Sequence, residues 1–491
     1  MKRILRNTIN IIFAIISIYL IISITIQKKS LMFKYDQLKL ILCILIIIGI
    51  LIFIYKCISK KEIKHEKAIT ITAFAIIVIL QLILGNLFKV TPSWDLGRIF
   101  REATDFSNTN NNIDYFCMCP NNIPILILFK SIFYIFNSIG LTNFLEIGIV
   151  INIIAIDLSI LFTYLVAKKC IGINKAIMIL IIFAIMPTTY LYAPIFYTDT
   201  LSMLFPILTI YLYLKIKEVK NIKSRILLNI LLGIIIFIGI NLKFTIIIAW
   251  IAICIYEIVI NKKDKQQCKQ LVIGIGTTII VILALTCGKG FILKNYFIYY
   301  DKMENDKLPA THYIMMSLQG DGRYSQKDVD YSTSFNTYNE RIEGNIAEIK
   351  NRAKKHTEKK DWLKFINNKI RTTWGDGTFY IPWQLERKPI NNGIWQDFVF
   401  RDGKYSDIYK YYSQALYISM LIFGTLAVFS EEKRLGIICR LTVVGVFLTF
   451  TIWEAKSRYI VNFIPIFIII EMLGLGVIDK KILNMKEGTK K

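Results

Sequence analysis

The stretch NNIPILILFKSIFYIFNSIG, residues 121–140, decides how the chain threads. It is apolar enough to be read as a membrane span, yet Lys130 sits near its middle. A hydrocarbon core of about 30 Å takes about 20 helical residues at 1.5 Å each, and the apolar part here is short for that. Charge in the flanking loops settles the reading. Basic loops occur at KCISKKEIKHEK (56–67), AKKCIGINK (167–175), KIKEVKNIKSR (215–225), NKKDKQQCK (261–269), SEEKR (430–434) and KKILNMKEGTKK (480–491). Lys and Arg in short loops mark the cytoplasmic side. If 121–140 crosses, AKKCIGINK and every later basic loop fall outside. If 122–138 lies as an amphipathic helix in the outer interface, all six loops and both termini face the cytoplasm.

Working outward, twelve crossings remain: 8–26, 37–56, 68–88, 144–167, 174–193, 199–216, 225–241, 243–260, 270–290, 409–429, 435–453 and 458–478. Such runs must be helical in lipid, where no water satisfies an open backbone. The expected fold is an all-α polytopic membrane protein with an outer interfacial helix and a mixed extracytoplasmic loop domain. Four regions follow: an N-terminal transmembrane hairpin (1–60), a transmembrane core (61–290) with an outer loop at 89–143, an extracytoplasmic domain (291–408), and C-terminal helices with a basic tail (409–491). Residues 291–408 carry Trp362, Trp374, Trp383 and Trp395 among mixed charges and read as folded.

Composition agrees. The 491 residues are 55% hydrophobic, with a mean hydropathy of +0.50. The net charge of +25 lies mostly in loops between apolar runs, which fits a topology signal and excludes a nucleic-acid partner. The nine cysteines are scattered. Cys117 and Cys119 lack nearby His partners, so neither a metal cluster nor a disulfide framework is read. The N-terminal MKRILR precedes a long apolar run without a small-residue cleavage site and reads as a retained helix.

Four polar features fall at the outer face. In SWDLGRIFREATDF (93–106), a helix would put Asp95, Arg98 and Glu102 on one side at i, i+3 and i+7. In YAPIFYTDTLSM (192–203), Asp199 enters the next span from a short turn. Lys243 sits at the tip of a tight turn in GINLKFTIII. WEAKSRYIVNFIP (453–465) gathers Glu454, Lys456, Arg458 and Tyr459 at the start of the last span. Each has a plain structural reading as well: Asp95 and Asp199 as helix caps, Lys243 and Arg458 as snorkelling cations. Asp157 lies mid-span and reads as a structural hydrogen-bonding group. Together the outer features place carboxylates and cations at one membrane face, which suits chemistry on a lipid-linked phosphate.

These blocks resemble the GT-C superfamily of membrane glycosyltransferases. The likeness is to the protein O-mannosyltransferase and aminoarabinose transferase group, glycosyltransferase family 39, in its Gram-positive members. It rests on YFxxxPNNIP, FYTDTLS, LKFT, THYIMMSLQGDGRYS, TTWGDGTF and EAKSRY, and covers residues 68–478. The resemblance implies a GT-C-like fold and a hexosyl- or pentosyl-type transferase in a bacterial cytoplasmic membrane. That enzyme would move a sugar from a polyprenyl-phosphate donor to a hydroxyl of a cell-envelope acceptor, with inversion. It implies Asp95 as base, with Glu102 and Asp199 as further catalytic carboxylates. Lys243, Arg458, Arg98 and Lys130 would face the donor phosphate. Tyr197, Trp374, Asp376 and Tyr459 would contact substrate. No cofactor is assigned, and a divalent metal stays open. Two departures stand out: Leu96, not a second acid, follows Asp95, and the outer loop comes after the third span. A transporter or flippase of lipid-linked glycans is the alternative, although the halves show no repeat. A membrane scaffold whose outer domain binds wall material is a third reading.

Overall fold

The computed structural model describes residues 2–107, 112–261 and 264–488. Among these, ten helices are long and apolar enough to cross a membrane. In chain order with the other principal helices, the elements are α1 (Ile4–Ile26), α2 (Gln37–Ser59), α3 (Glu66–Leu87), α4 (Trp94–Thr104), α5 (Ile123–Ser138), α6 (Phe144–Ile171), α7 (Ile173–Ile185), α8 (Thr198–Glu218), α9 (Ile222–Leu242), α10 (Phe244–Ile260) and α11 (Lys265–Tyr296). They continue with α12 (Ala310–Ser317), α13 (Gln326–Thr333), α14 (Tyr338–Lys359), α15 (Trp362–Trp374), α16 (Ser406–Phe429), α17 (Arg434–Ile452) and α18 (Ser457–Asp479). The two shorter apolar helices, α7 and α10, stand where the sequence reading puts two more crossings.

Local chemistry starts these helices. Asp36 accepts a hydrogen bond from the Lys39 amide at the head of α2, and Asp264 does the same for Gln267 at α11. Thr337 and Glu340 form a reciprocal capping box on α14. Helix α18 is the centre of the bundle: 94% of its apolar window is buried, against 11% for α11 at the periphery. It packs on α16 and α17, while α1 and α2 pack on α16. The N-terminal hairpin is therefore part of the bundle. Its Gln27 donates to the Gly375 carbonyl, and Tyr19 donates to Asn367 at 2.6 Å.

Helix α5 spans 16 residues, about 24 Å at 1.5 Å per residue, less than a hydrocarbon core. Ile125, Phe129 and Phe133 are buried on one side, while Ile127, Leu128 and Ile135 are exposed on the other. It packs on α4, with the Phe100 and Phe133 rings 5.9 Å apart.

The expected mixed character of 291–408 needs correction. No strand occurs among the described residues; the β-type pairings are the isolated bridges Lys29–Lys34 and Val90–Pro389. The segment is helical, and its second half folds back onto the bundle. Apart from α14 its helices are short, and all pack through aromatic and polar faces, so the sequence carries no long apolar period. The turn WGDGTF shows how close the packing is. A Cβ on Gly377 would lie 2.8 Å from the Ser413 carbonyl oxygen, and one on Gly375 2.4 Å from that of Arg371.

Candidate functional site

Four distant parts of the chain meet at one end of the bundle. The head of α4 brings Trp94 and Asp95, the head of α8 brings Tyr197 and Asp199, the α9–α10 turn brings Lys243, and the head of α18 brings Arg458 and Tyr459. Asp199 is their centre. Its Oδ1 accepts from Lys243 Nζ at 2.6 Å, and its Oδ2 accepts from Arg458 Nη1 at 2.7 Å. The Asp199 side chain is 2% exposed, Lys243 13% and Arg458 9%, so solvent screens this triad weakly. Burial pulls the Lys243 ammonium down, and Asp199 opposes it. Phe244, next to Lys243, is 71% exposed, which marks the lipid edge.

Arg458 is also packed between rings. Its guanidinium carbon lies 4.9 Å from the Trp94 ring centre, 5.3 Å from Tyr197 and 5.2 Å from Tyr459. Trp94 meets Tyr197 edge to face at 4.6 Å. These aromatic faces carry the link to Asp95, which is half-buried. The single Tyr197 hydroxyl proton is shared between two acceptors, Asp95 Oδ2 at 3.5 Å and Asn122 Oδ1 at 3.2 Å. Asn122 donates to the Tyr115 hydroxyl at 2.5 Å, and Tyr115 in turn bonds Asp95. Burial raises both phenols, with Asp95 adding to the shift, so both stay protonated and Asp95 stays the acceptor.

A second layer holds the arms in place. The Asp376 carboxylate is buried and accepts from Ser457 Oγ at 2.8 Å, Thr378 N at 3.1 Å and Tyr380 N at 2.9 Å. Ser457 precedes Arg458, so this turn fixes the head of α18. The strand-like contact of Thr91 N with Lys388 O, at 2.9 Å, fixes the approach to Asp95. Lys456 lies over the rings of Tyr380 and Trp383 at 4.9 and 5.4 Å. Burial, helped by the Arg458 charge, pulls Lys456 down to about 8, and burial raises Glu454, which bonds Tyr459. Among the described residues, four non-glycine positions have positive φ: Trp94, Lys360, Phe379 and Tyr380. Three of them flank this cluster, and such strain costs about 1–3 kcal/mol each and gathers at functional sites.

The sequence candidates divide clearly. Asp95, Asp199, Lys243, Arg458, Tyr197 and Tyr459 come together. Glu102 does not join them: it is buried and accepts from Asn112 Nδ2 at 3.2 Å. Arg98 is exposed on α4, its guanidinium 4.9 Å from the Tyr115 ring centre. The expected common face of Asp95, Arg98 and Glu102 therefore splits, because Glu102 turns inward while Arg98 turns out. Lys130 is half-buried in the middle of α5 and is not among the groups on Asp199. Trp374, expected as a substrate contact, is 1% exposed and packs between Phe447 and Phe467 as a core residue. Asp376 is a turn anchor whose oxygens are already bonded within the protein. Trp94, Tyr115 and Asn122 were not singled out from sequence; the Pro-Asn-Asn turn before α5 was the one signal for Asn122. Among the described residues no group of three or more His, Cys, Asp or Glu side chains is placed to hold a metal ion.

Ten long apolar helices among the described residues, with the charged cluster at one end of their bundle, define a multi-pass, all-helical integral membrane protein. The chain belongs to the family described as conserved hypothetical integral membrane proteins, whose model matches residues 4–476. No curated protein and no solved structure matches it.

Proposed function

We propose that the protein is a membrane glycosyltransferase that moves a sugar from a polyprenyl-phosphate donor to an extracytoplasmic hydroxyl, with inversion. The single observation that carries this reading is the Asp199 clamp on Lys243 and Arg458, set beside Asp95 through Tyr197. One carboxylate holding two cations leaves a net positive charge at the lipid edge. That charge suits a lipid phosphate whose negative charge grows as the sugar leaves. In the reaction, the acceptor oxygen attacks the anomeric carbon and the bond from that carbon to the phosphate oxygen breaks. The acceptor proton passes to Asp95, and the polyprenyl phosphate departs beside Arg458 and Lys243. Asp199, with both oxygens engaged by cations, is a positioning residue on this account. The reading includes twelve crossings in a GT-C-like arrangement, a bacterial plasma membrane, both termini in the cytoplasm and the site outside. A cell-envelope polymer, lipid or protein supplies the hydroxyl.

The test is transfer of labelled sugar from a panel of polyprenyl-phosphate sugars into membrane extracts, comparing wild type with Asp95→Asn at equal protein level. Transfer that falls about 10²–10⁴-fold in the variant supports the class and the base together. Equal transfer in both proteins removes Asp95 as base. No transfer from any donor sinks the enzyme reading and moves the weight to lipid-linked glycan transport.

A further inference from the structure

The opposite end of the bundle holds a cavity that the proposed chemistry does not use. Helix α11 packs along α9, while α10 packs on α8 and α17. The space between α10 and α11 is a cavity of about 400 Å³. Its flanks face lipid: Ile258 on α10 is 64% exposed and Val272 on α11 is 70% exposed. Its wall changes character along the helices. Toward the bilayer centre it is apolar, with Leu232, Trp250, Ile253 and Ile275. Toward the basic loops it is charged, with Lys217, Arg225 and Arg434 against one acid, Glu257.

The charged half is organised. The last turn of α10, Tyr256–Ile260, is π-helical, and such bulges recur at functional sites. Glu257 on that turn accepts from the Tyr213 hydroxyl at 2.5 Å and pairs with Lys217 Nζ at 2.9 Å. Arg225 is oriented by the Val219 carbonyl at 2.7 Å and by Gln270. Its Nε is buried and has no hydrogen-bond partner among the described residues. Among the described lining residues, three cations stand against one acid, a surplus of two positive charges at the bottom of an apolar slot. The GIGTT run lines this slot rather than binding a phosphate loop-fashion: a Cβ on Gly274 would lie 3.1 Å from Asn229 Oδ1.

We propose that this groove binds the phosphate headgroup of an anionic phospholipid, with an acyl chain in the apolar half between α10 and α11. A basic pocket between helices at a membrane face is a recurrent anionic-lipid site. The amphipathic wall favours a lipid over a free anion, which has nothing to place against Trp250 and Ile275. This inference does not depend on the glycosyltransfer reading.

The experiment is native mass spectrometry of the delipidated full chain titrated with phosphatidylglycerol, phosphatidylcholine or inorganic phosphate. Wild type is compared with Arg225→Gln, Arg434→Gln, the groove-filling Ile275→Trp and the control Lys269→Gln on the same helix. The expected result is one tightly held phosphatidylglycerol, bound at least tenfold better than phosphatidylcholine. Arg225→Gln and Ile275→Trp each lower that binding about tenfold, Arg434→Gln less, and Lys269→Gln leaves it unchanged. Equal binding of phosphatidylcholine overturns the proposal, as does indifference to all three groove variants. Binding of inorganic phosphate that Ile275→Trp leaves intact overturns it in favour of a free-anion site. If Arg225→Gln does not fold, Ile275→Trp, which keeps every cation, still decides.

Discussion

The two ends of the bundle each bury one acid against cations, and they do so differently. At one end Asp199 spends both oxygens on Lys243 and Arg458, and aromatic rings close over the guanidinium. At the other, Glu257 holds Lys217 and Tyr213 on the wall of a cavity of about 400 Å³, beside an arginine nitrogen with no partner among the described residues. The first arrangement fixes charge in place. The second offers charge to something that enters. A buried ion pair contributes little net stability, because desolvation consumes most of the Coulombic gain, but removing one partner is costly. The contrast therefore lies in what each acid leaves unsatisfied when its surroundings change.

The largest stability effect should come from Asp199→Asn. It strands two cations that are 13% and 9% exposed, and a loss of about 3–5 kcal/mol is expected in the denaturation midpoint in mild detergent. A loss under about 1 kcal/mol would mean that water reaches the triad and would erase the contrast. Next comes Gly377→Ala, which forces a Cβ to 2.8 Å from the Ser413 carbonyl; overpacking of about 1–3 kcal/mol is expected by the same assay.

A pH series sharpens the closed end further. Lys456 is held down to about 8 from 10.5. Below about 8 it is charged in both folded and unfolded chains, and the fold carries the full cost of burying that charge. Between about 8 and 10.5 the unfolded chain binds the proton that the folded chain has released, so stability rises with pH across that window. Lys456→Met should remove that rise; a parallel slope in both proteins would place Lys456 in water. The smallest effect is expected for Lys217→Gln at the open end, about 1–2 kcal/mol, because Glu257 is 2% exposed and loses one of its partners. The Lys217 side chain is 30% exposed, and Glu257 keeps its Tyr213 partner.

The membrane character of the chain was legible because long apolar runs have few other structural uses, and α1 to α3 follow them closely. The gathering of Asp199, Lys243 and Arg458 was legible from parity: counting crossings puts each at the same end. Parity is silent about side-chain direction. Glu102 and Arg98 lie four residues apart on α4, yet one is buried against Asn112 and the other is exposed. Trp374 looked available because it sits in a polar stretch, but α15 packs against the head of α18, and the ring goes inward. The helical state of 291–408 was hidden because its helices, the 22-residue α14 included, carry aromatic and polar faces and leave no extended apolar period. Trp94 was invisible for another reason: its φ of +47° is a backbone property that Trp itself disfavours.

The position of α18 also has a meaning in time. Asp199 enters the growing bundle without its partners. Lys243 follows 44 residues later, and Arg458 arrives 259 residues later on the helix that fills the bundle's centre. At about 5–20 residues per second, the carboxylate waits roughly 13–50 s for its guanidinium. Until then Lys243 is the cation within reach, and the half-built site is a simple ion pair at the lipid edge. The clamp that gives this end its rigidity is closed by the insertion of the central helix, so assembly of the charge cluster and completion of the bundle are one event.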